Sequence, residues 1–435
     1  MQRKTPNISY TVRHDLCVGC GVCTDVCPQK AIKINDTHGL FRPVVDADLC
    51  FNNQGCHRCL DICPGIGINI KCLSENLFDA NEAVVNPYIG HYLDCYTGHS
   101  CNDSIRYHCA SGGLTSQMLI YLLEKGFITG AVVTRFDNSP PLMVRTFIAR
   151  NREEILSAKS SKYAPVTMAG IVDEIKASDG KVAIVGLPCH IQGFRKLEQK
   201  DKKFKEHVFA YFGLYCSCGR SFYLTEYVLK KYGIERFHLK HFAYRDNGCM
   251  GNLHIQMNEK FHIGNADSIS EMGFGFIQIP YQKYYLSLRS FFNVHRCLFC
   301  VDHFAELADI SFGDIHYGKY IQDKIGINSV VVRRSDLLQL LHEAKSEGFI
   351  TLEDVSIADL LASQVYVKTK KHLNPMFIKL YRMTGHKVPE YNTNFKYYPT
   401  TKAIKSLFVK KVQMLIGGHK FLWPFIKMMI KRYDK

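Results

Sequence analysis

Eight cysteines between residues 17 and 63 constrain this chain more than any other feature. They form two runs, Cys17-x2-Cys20-x2-Cys23-x3-Cys27-Pro28 and Cys50-x5-Cys56-x2-Cys59-x3-Cys63-Pro64. Thiolates this close together wrap a loop around a compact group, and backbone N–H groups in the tight turns then point at its negative charge. Gly19 and Gly21 suit such turns. Zinc prefers two Cys-x2-Cys pairs separated by a larger loop, and these runs divide badly that way. Disulfides fit no better, because a chain of 435 residues can bury a core without staples. Met1 to Pro6 has no apolar run behind it, so no signal peptide is expected and a reducing, cytoplasmic setting is.

The first run has the spacing of a two-cluster bacterial ferredoxin, and the second departs from it by three extra residues, where Asn52, Asn53 and Gly55 predict a surface loop. Two [4Fe–4S] clusters are expected. In that arrangement the fourth cysteine of each run serves the other cluster. Cys17, Cys20, Cys23 and Cys63 are therefore assigned to cluster I, and Cys50, Cys56, Cys59 and Cys27 to cluster II.

Of the 18 cysteines, four more fall in separate loops of the body: Cys189 in Gly-Leu-Pro-Cys-His, Cys216 after Gly213-Leu214-Tyr215, and Cys297-x2-Cys300. Four thiolates suit a third [4Fe–4S] cluster or zinc. Spacing alone leaves those readings open beside a redox-active thiol pair and inert buried cysteines. Cys218 and Cys249 are possible substitutes. Cys72, Cys95, Cys101 and Cys109 follow no usable pattern.

The expected architecture is an α+β ferredoxin-like two-cluster domain followed by an α/β body with a largely parallel sheet and an antiparallel portion. In the first part, Thr11–His14, Ala31–Ile34 and Phe41–Val45 read as strands, and Cys…Cys-Pro followed by a short apolar strand is read twice, at Cys17–Ile34 and Cys50–Ile70. A linker follows over Leu73–Leu93. In the body, Leu114–Lys125, Ile171–Ala177, His190–Leu197, Ser221–Lys231, Leu337–Ser346 and 353–366 read as helices. Ile128–Arg135, Met143–Ala149, Val182–Val185, Val208–Leu214, Ala308–Phe312 and Ser329–Arg333 read as strands, and Phe237 to Ile277 as antiparallel strands with glycine turns. In such sheets ligands gather at the carboxyl ends of strands, where Cys189 and Cys216 fall.

Net charge is +15, and residues 401–435 carry nine Lys or Arg against one Asp. A basic body suits an acidic protein partner such as a ferredoxin. Nucleic acid is not expected, since no zinc-finger, helix-turn-helix or RNP-type pattern accompanies the charge. No apolar run is long enough for a membrane span. The amphipathic tail, with lysines at 402, 405, 410 and 411 and Trp423, suits peripheral membrane contact, docking on a partner or on the body, or disorder.

Several stretches together carry a family resemblance: Ser111-Gly112-Gly113, Gly130-Ala131-Val132-Val133, Ser161-Lys162-Tyr163-Ala164-Pro165, Gly186-Leu187-Pro188-Cys189, Gly213-Leu214-Tyr215-Cys216, Arg296-Cys297-Leu298-Phe299-Cys300-Val301-Asp302 and Ala308-Asp309-Ile310-Ser311-Phe312-Gly313-Asp314. Over residues 10 to 350 the chain resembles the family of beta subunits of coenzyme F420 hydrogenase and F420-dependent dehydrogenases, and it is similar to 7-hydroxymethyl chlorophyll a reductase. The resemblance implies FAD, a further cluster on Cys189, Cys216, Cys297 and Cys300, and a flavin pocket built with Ser111, Gly112, Gly113, Ser161, Lys162 and Tyr163. The residues themselves are compatible. Gly112 and Gly113 could present N–H groups to a phosphate, Thr115 a hydroxyl, and Lys162 a positive charge. Asp314 could face a ligand or cap a turn, and His190 could donate a proton or simply be hydrogen-bonded in its loop. Domains are expected at 8–72 (ferredoxin), 85–165 and 166–368 (the two parts of the beta subunit) and 369–435 (tail). The expected function is a flavin- and iron–sulfur-dependent oxidoreductase passing electrons between a hydride donor or acceptor such as reduced coenzyme F420 and one-electron carriers. The electron path expected runs from the body cluster to cluster II and then cluster I. The alternatives are a non-catalytic electron-transfer subunit and a reductase of another organic substrate.

Overall fold

A computed structural model describes residues 5–430 except 80, 139–140, 259–269, 273–275, 289 and 394. The cysteine-rich part holds one hairpin, β1 (Ile32–Thr37) against β2 (Leu40–Val45), turned at His38–Gly39. Two local readings of this part fail. Residues Ser9–Arg13 are helical rather than extended, because the Asn7 side chain accepts the Ser9 N–H at 3.0 Å and starts a turn. After Cys63-Pro64 the chain makes a 3₁₀ turn and then the helix Ile70–Leu77, not a strand. Asn69 caps that helix by accepting from the Cys72 N–H. The expected linker is likewise structured: it carries most of that helix and a ribbon of β3 (Val84–Asn86) and β4 (Gly90–Tyr92).

Eight strands form the main sheet: β5 (Asp94–Gly98), β6 (Gly130–Asn138), β7 (Pro141–Ala149), β8 (Val182–Gly186), β9 (Val208–Leu214), β14 (Ile310–Asp314), β15 (Asn328–Val332) and β16 (Glu353–Asp354). Their order is β16-β5-β15-β14-β9-β8-β6-β7. The four central strands β14, β9, β8 and β6 run parallel, and the strands on either flank are antiparallel. The expected antiparallel portion is a separate sheet of β10 (Leu239–Asp246), β11 (Asn252–Met257), β12 (Ser270–Met272) and β13 (Phe276–Ile279), in the order β10-β11-β13-β12. Part of that stretch, 259–269 and 273–275, lies outside the described residues.

Period-two alternation gives the central strands two buried faces. Val132, Ile184 and Tyr211 point to one core with Ile191 and Phe194 of the helix Pro188–Glu198. Their neighbours Ala131, Ala183, Ala210 and Phe212 point to the other, under the helices Leu114–Glu124 and Ser335–Ser346. The first core also contains Val22, Cys20 and Cys63, so the cysteine-rich module packs on one face of the body. Gly21 shows how tight that contact is. Its φ is +79°, and a Cβ there would lie 2.1 Å from the Thr167 hydroxyl and 2.7 Å from the Ala169 nitrogen. Beside it the Met168 N–H donates to the Cys20 carbonyl at 2.7 Å.

The basic tail is ordered and docked through the described residues. Ala403 and Leu407 of the helix Thr401–Gly418 enter the first core. Trp423, Ile426 and Ile430 of the helix Trp423–Ile430 pack under the smaller sheet.

Candidate iron–sulfur sites

The structure gathers the twelve predicted cysteines into three groups of four. Cys17, Cys20, Cys23 and Cys63 line one small cavity with Ile8, Ile62 and Pro64. Cys27, Cys50, Cys56 and Cys59 line a second. This is the crossed grouping expected from the ferredoxin spacing. The six-residue spacing Cys50-x5-Cys56 is taken up by a 3₁₀ turn, Phe51–Gln54, ending at Gly55 with φ +87°.

Backbone donors converge on the sulfurs in both places. Gly19 N–H points at Cys17 Sγ and Gly65 N–H at Cys63 Sγ, each at 3.3 Å, and Ala31 N–H at Cys27 Sγ at 3.4 Å. Burial pushes the bare thiols up: Cys63, with Cys17 beside it, and Cys59 both reach about 11, and Cys20 and Cys23 also rise. Such thiols stay protonated until a cation displaces the protons. An all-thiolate donor set with N–H···S support therefore fits an iron–sulfur cube, whose ligation releases those protons.

The third group is assembled from loops far apart in sequence. β8 ends at Gly186, and Cys189 lies in the first turn of the following helix, with Pro188 at its start. β9 ends at Leu214, just before Cys216. Cys297 lies in the 3₁₀ turn His295–Phe299, and Cys300 closes it. All four line one cavity together with Arg220, Arg296, His190 and Lys370. Gly219 N–H donates to Cys297 Sγ at 3.2 Å. Burial pushes Cys297 up to about 11 and raises Cys189 and Cys216 further. Burial alone would lower Lys370, but Cys300, Cys216 and Cys297 outweigh it and hold its pKa above the ordinary lysine value. Asn374 donates to the Cys297 and Cys300 carbonyls at 3.2 and 2.7 Å. Lys370 and Asn374 come from the segment read as a tail, and no spacing rule marked them. Cys218 and Cys249 are not among the residues lining this cavity.

The three groups have a definite order, and it corrects the expected path. Val18 and Pro64 line both the body cavity and the site of cluster I. Arg296, only 3% exposed, donates to the Gly65 carbonyl at 2.8 Å and the Pro64 carbonyl at 3.1 Å. Cys20 is close enough to Cys189 to raise its pKa. None of Cys27, Cys50, Cys56 and Cys59 lines the body cavity. The sequence of sites is body, cluster I, cluster II. The crossover of Cys63 carries the second run back toward the body and so puts cluster I in the middle.

The residues expected around a flavin lie near one another, though several are engaged with the chain itself. Gly112 and Gly113 precede the helix Leu114–Glu124 as read, with Gly113 at φ +77°. A Cβ on Gly112 would lie 2.8 Å from the Gly98 carbonyl, and the Leu114 N–H is taken by the Asn328 side chain. Ser111 donates to the Ile327 carbonyl at 2.9 Å, and Thr115 is half-buried beyond it. The Ser161–Tyr163 loop brings Tyr163 against Tyr285, with ring centroids 4.1 Å apart. Lys162 turns its ammonium inward to the carbonyls of Ala158, Lys159 and Ser160. Burial pushes it down to about 7, and no carboxylate bonds it among the described residues. A half-buried ammonium with no carboxylate bonded to it would keep its proton more readily beside an anionic group. Asp314 pairs with Arg245 at 2.7 Å, and Ser160 donates to the Arg245 carbonyl, which ties the two loops together. His190 accepts the Leu187 N–H at the start of its own helix, and burial pushes it down to about 4.

These features define the chain as a 4Fe–4S iron–sulfur protein in which a dicluster module is built onto an α/β body. Residues 16–65 match a 4Fe–4S dicluster domain. Residues 95–173 and 179–357 match the N-terminal and C-terminal parts of the coenzyme F420 hydrogenase/dehydrogenase beta subunit, and the chain belongs to that family. It is 24% identical over 365 residues to the coenzyme F420-dependent sulfite reductase of Methanocaldococcus jannaschii, covering 80% of this chain and 49% of that protein. It is 31% identical over 117 residues to a coenzyme F420 hydrogenase beta subunit of Methanosarcina barkeri, covering 26% of this chain and 40% of that protein. To one of the subunits of the F(420)H(2) dehydrogenase of Methanosarcina mazei it is 27% identical over 221 residues, 48% of this chain and 56% of that protein. The chain thus spans about half the length of these curated relatives. Among solved structures, a chain of the F420-reducing [NiFe] hydrogenase complex from Methanosarcina barkeri shares the fold, with TM-score 0.53 at 19% identity, covering 71% of this chain and 99% of that one.

Proposed function

We propose that this chain is a flavin- and iron–sulfur-dependent oxidoreductase that exchanges electrons between a hydride donor or acceptor of the reduced-F420 type and one-electron carriers. The observation that carries this reading is the third four-cysteine site, which joins the body to the dicluster module in one line of sites. Cys17, Cys20, Cys23 and Cys63 would hold one cube, Cys27, Cys50, Cys56 and Cys59 a second, and Cys189, Cys216, Cys297 and Cys300 a third. Bound cubes store single electrons, and bound FAD would interconvert these with hydride. The protein's own work is electrostatic. Lys370, Arg220 and Arg296 offset the charge of the body site. The charge of Lys162 would favour a negative flavin group nearby, although its N–H groups already bond its own loop, and Ser111–Gly113, Thr115, Ser161, Tyr163 and Asp314 would surround that group.

Anaerobic purification with iron, sulfide and flavin analysis tests this. We expect about twelve irons, four per site, and one FAD. Reduced F420 or another small hydride donor should bleach the flavin. Iron without any flavin binding would sink the converter role. A relay subunit without catalysis of its own is the second reading, supported by relatives that are named as subunits of larger enzymes. Such a subunit would respond to a reduced protein partner, such as an acidic ferredoxin, and to no small donor.

A further inference from the structure

A cavity of about 700 Å³ lies between the body and the two C-terminal helices; it shares Arg220 and Cys297 with the body site and is otherwise separate from the sites above. Its body wall includes Cys297 and Cys218. Its roof includes Lys405, Val409 and Lys410 of Thr401–Gly418 and Met429 of Trp423–Ile430. Three cations line it, Arg220, Lys405 and Lys410, and no Asp or Glu does among the described residues. The rest of the lining is rich in hydroxyls and amides, including Ser217, Ser290 and Asn293. A space of this size accepts a drug-sized molecule, and the lining selects one with an anionic, hydrogen-bonding end.

The roof has a second property. Its inner side packs on the body through Ala403, Leu407, Trp423 and Ile426, and these contacts already anchor it. Its outer side is nevertheless apolar. Ile404, Phe408 and Leu415 recur along one face of the first helix and are 51%, 69% and 57% exposed. Phe421, Phe425 and Met428 at the second are 77%, 50% and 71% exposed. Residues 401–430 contain six lysines and no acidic residue. Folding requires no such face, and contiguous exposed apolar surface marks an interaction site. An acidic protein would satisfy the lysines while setting carboxylates against three phenylalanines. The headgroup–acyl boundary of an anionic bilayer satisfies both. No helix among the described residues is long and apolar enough to cross a membrane, which suits a surface-lying pair. Val409 and Met429 belong to both features. They are half-exposed with the outer apolar set and also line the cavity, so its lip continues the apolar face.

We propose that the C-terminal helix pair lies on an anionic lipid surface and that the cavity it roofs receives the anionic headgroup of an amphiphile taken from that surface. Because Cys297 belongs to both the cavity wall and the body site, the headgroup is held beside the redox centre. Its being a substrate rests on the function proposed above; the binding itself does not.

The test uses the full chain, purified anaerobically. In flotation, it should rise with phosphatidylcholine vesicles containing phosphatidylglycerol about tenfold more than with phosphatidylcholine alone, and salt should weaken the effect. The pair Phe408→Asp and Phe421→Asp should reduce flotation about tenfold, and the milder Phe408→Ser severalfold. Trp423 is the only tryptophan, so its emission reports on the roof. Monomeric dihexanoyl phosphatidic acid should shift that emission saturably, and Ser290→Phe should abolish the shift while leaving flotation unchanged. Flotation indifferent to lipid charge or to the phenylalanines overturns the proposal. So does saturation by glycerol 3-phosphate alone, which would make the ligand a free phosphate ester.

Discussion

Each of the two sites in the dicluster module, like the site in the body, gathers four thiols, yet module and body are built in opposite ways. In the module, each site takes three ligands from one short run and a fourth from the other, and the local turns deliver the N–H donors. In the body, sheet topology brings Cys189, Cys216, Cys297 and Cys300 together, and a later segment supplies Lys370 and Asn374. A local site needs few partners and is exposed to point changes in its own turns. A topological site depends on the docking of elements that carry no ligand at all.

The largest effect should come where the two constructions meet. Gly21→Val forces a Cβ into Thr167 and Ala169 at a positive φ, which should cost about 4 kcal/mol or more, enough to separate module from body. Thermal melts of the anaerobic protein should drop steeply or lose cooperativity. Undiminished melting would mean the docking is not as tight as described.

Next come the crossed ligands. Cys27→Ser should damage the outer site and leave that of cluster I, whereas Cys63→Ser should do the reverse despite its place in the second run. Each should lose up to about four irons, and low-temperature EPR of the reduced protein tells which signal remains. Uncrossed behaviour would break the parallel with two-cluster ferredoxins.

Lys370→Met leaves buried thiolates without their nearest ammonium. The body site should then lose about four irons to mild chelation while the module keeps its own. Equal loss from all sites would show that the two constructions are not independent.

Lys162→Met should act through pH. Burial lowers the folded pKa to about 7 from an ordinary value of 10.5. Below 7 both folded and unfolded chains carry the proton, and the folded state bears the full burial penalty. Between 7 and 10.5 the unfolded chain binds more protons, so wild-type stability rises with pH. The variant should therefore be more stable by about 2 kcal/mol at pH 6, with an advantage that fades toward pH 10. Denaturant midpoints across that range check it. Bound FAD should shrink or reverse the difference.

The smallest effect is expected from Lys30→Ala, which removes the Lys30–Asp173 ion pair at the module's rim. Both side chains are about half exposed, and the change should be under about 0.5 kcal/mol. A larger loss would shift weight from buried contacts such as Arg296 to surface charge.

Much of this was legible in the sequence because it is local. The two runs of ferredoxin ligands and the apolar central strands are read within short windows, and the crossing follows from the two-cluster spacing. The body ligands were nameable only by family likeness, since no spacing links loops at 189, 216 and 297. Residues 370–391 read as tail because their partners lie elsewhere in the chain: Tyr391 donates to the Phe299 carbonyl, and the Glu390 N–H to that of Ile66. Thr11–His14 reads as a strand because a four-residue window does not reach Asn7, whose side chain accepts the Ser9 N–H and starts the turn. Lys162 was legible as a site lysine, but not that its ammonium would turn into its own loop. The His241, Asp246 and His254 donor atoms, within 4.8 Å of one another, meet only because β10 and β11 pair.

The middle position of cluster I has a further consequence. Its four thiols are all under 8% exposed, whereas three of the four in the outer group are partly open to solvent. The four cysteines of the body group are partly open as well, so a partner or small molecule can reach the two end groups but not the middle one. The centre between them is insulated from both. On the function proposed above, electrons would pass through the three sites in series, and either end could change its partner without retuning the other.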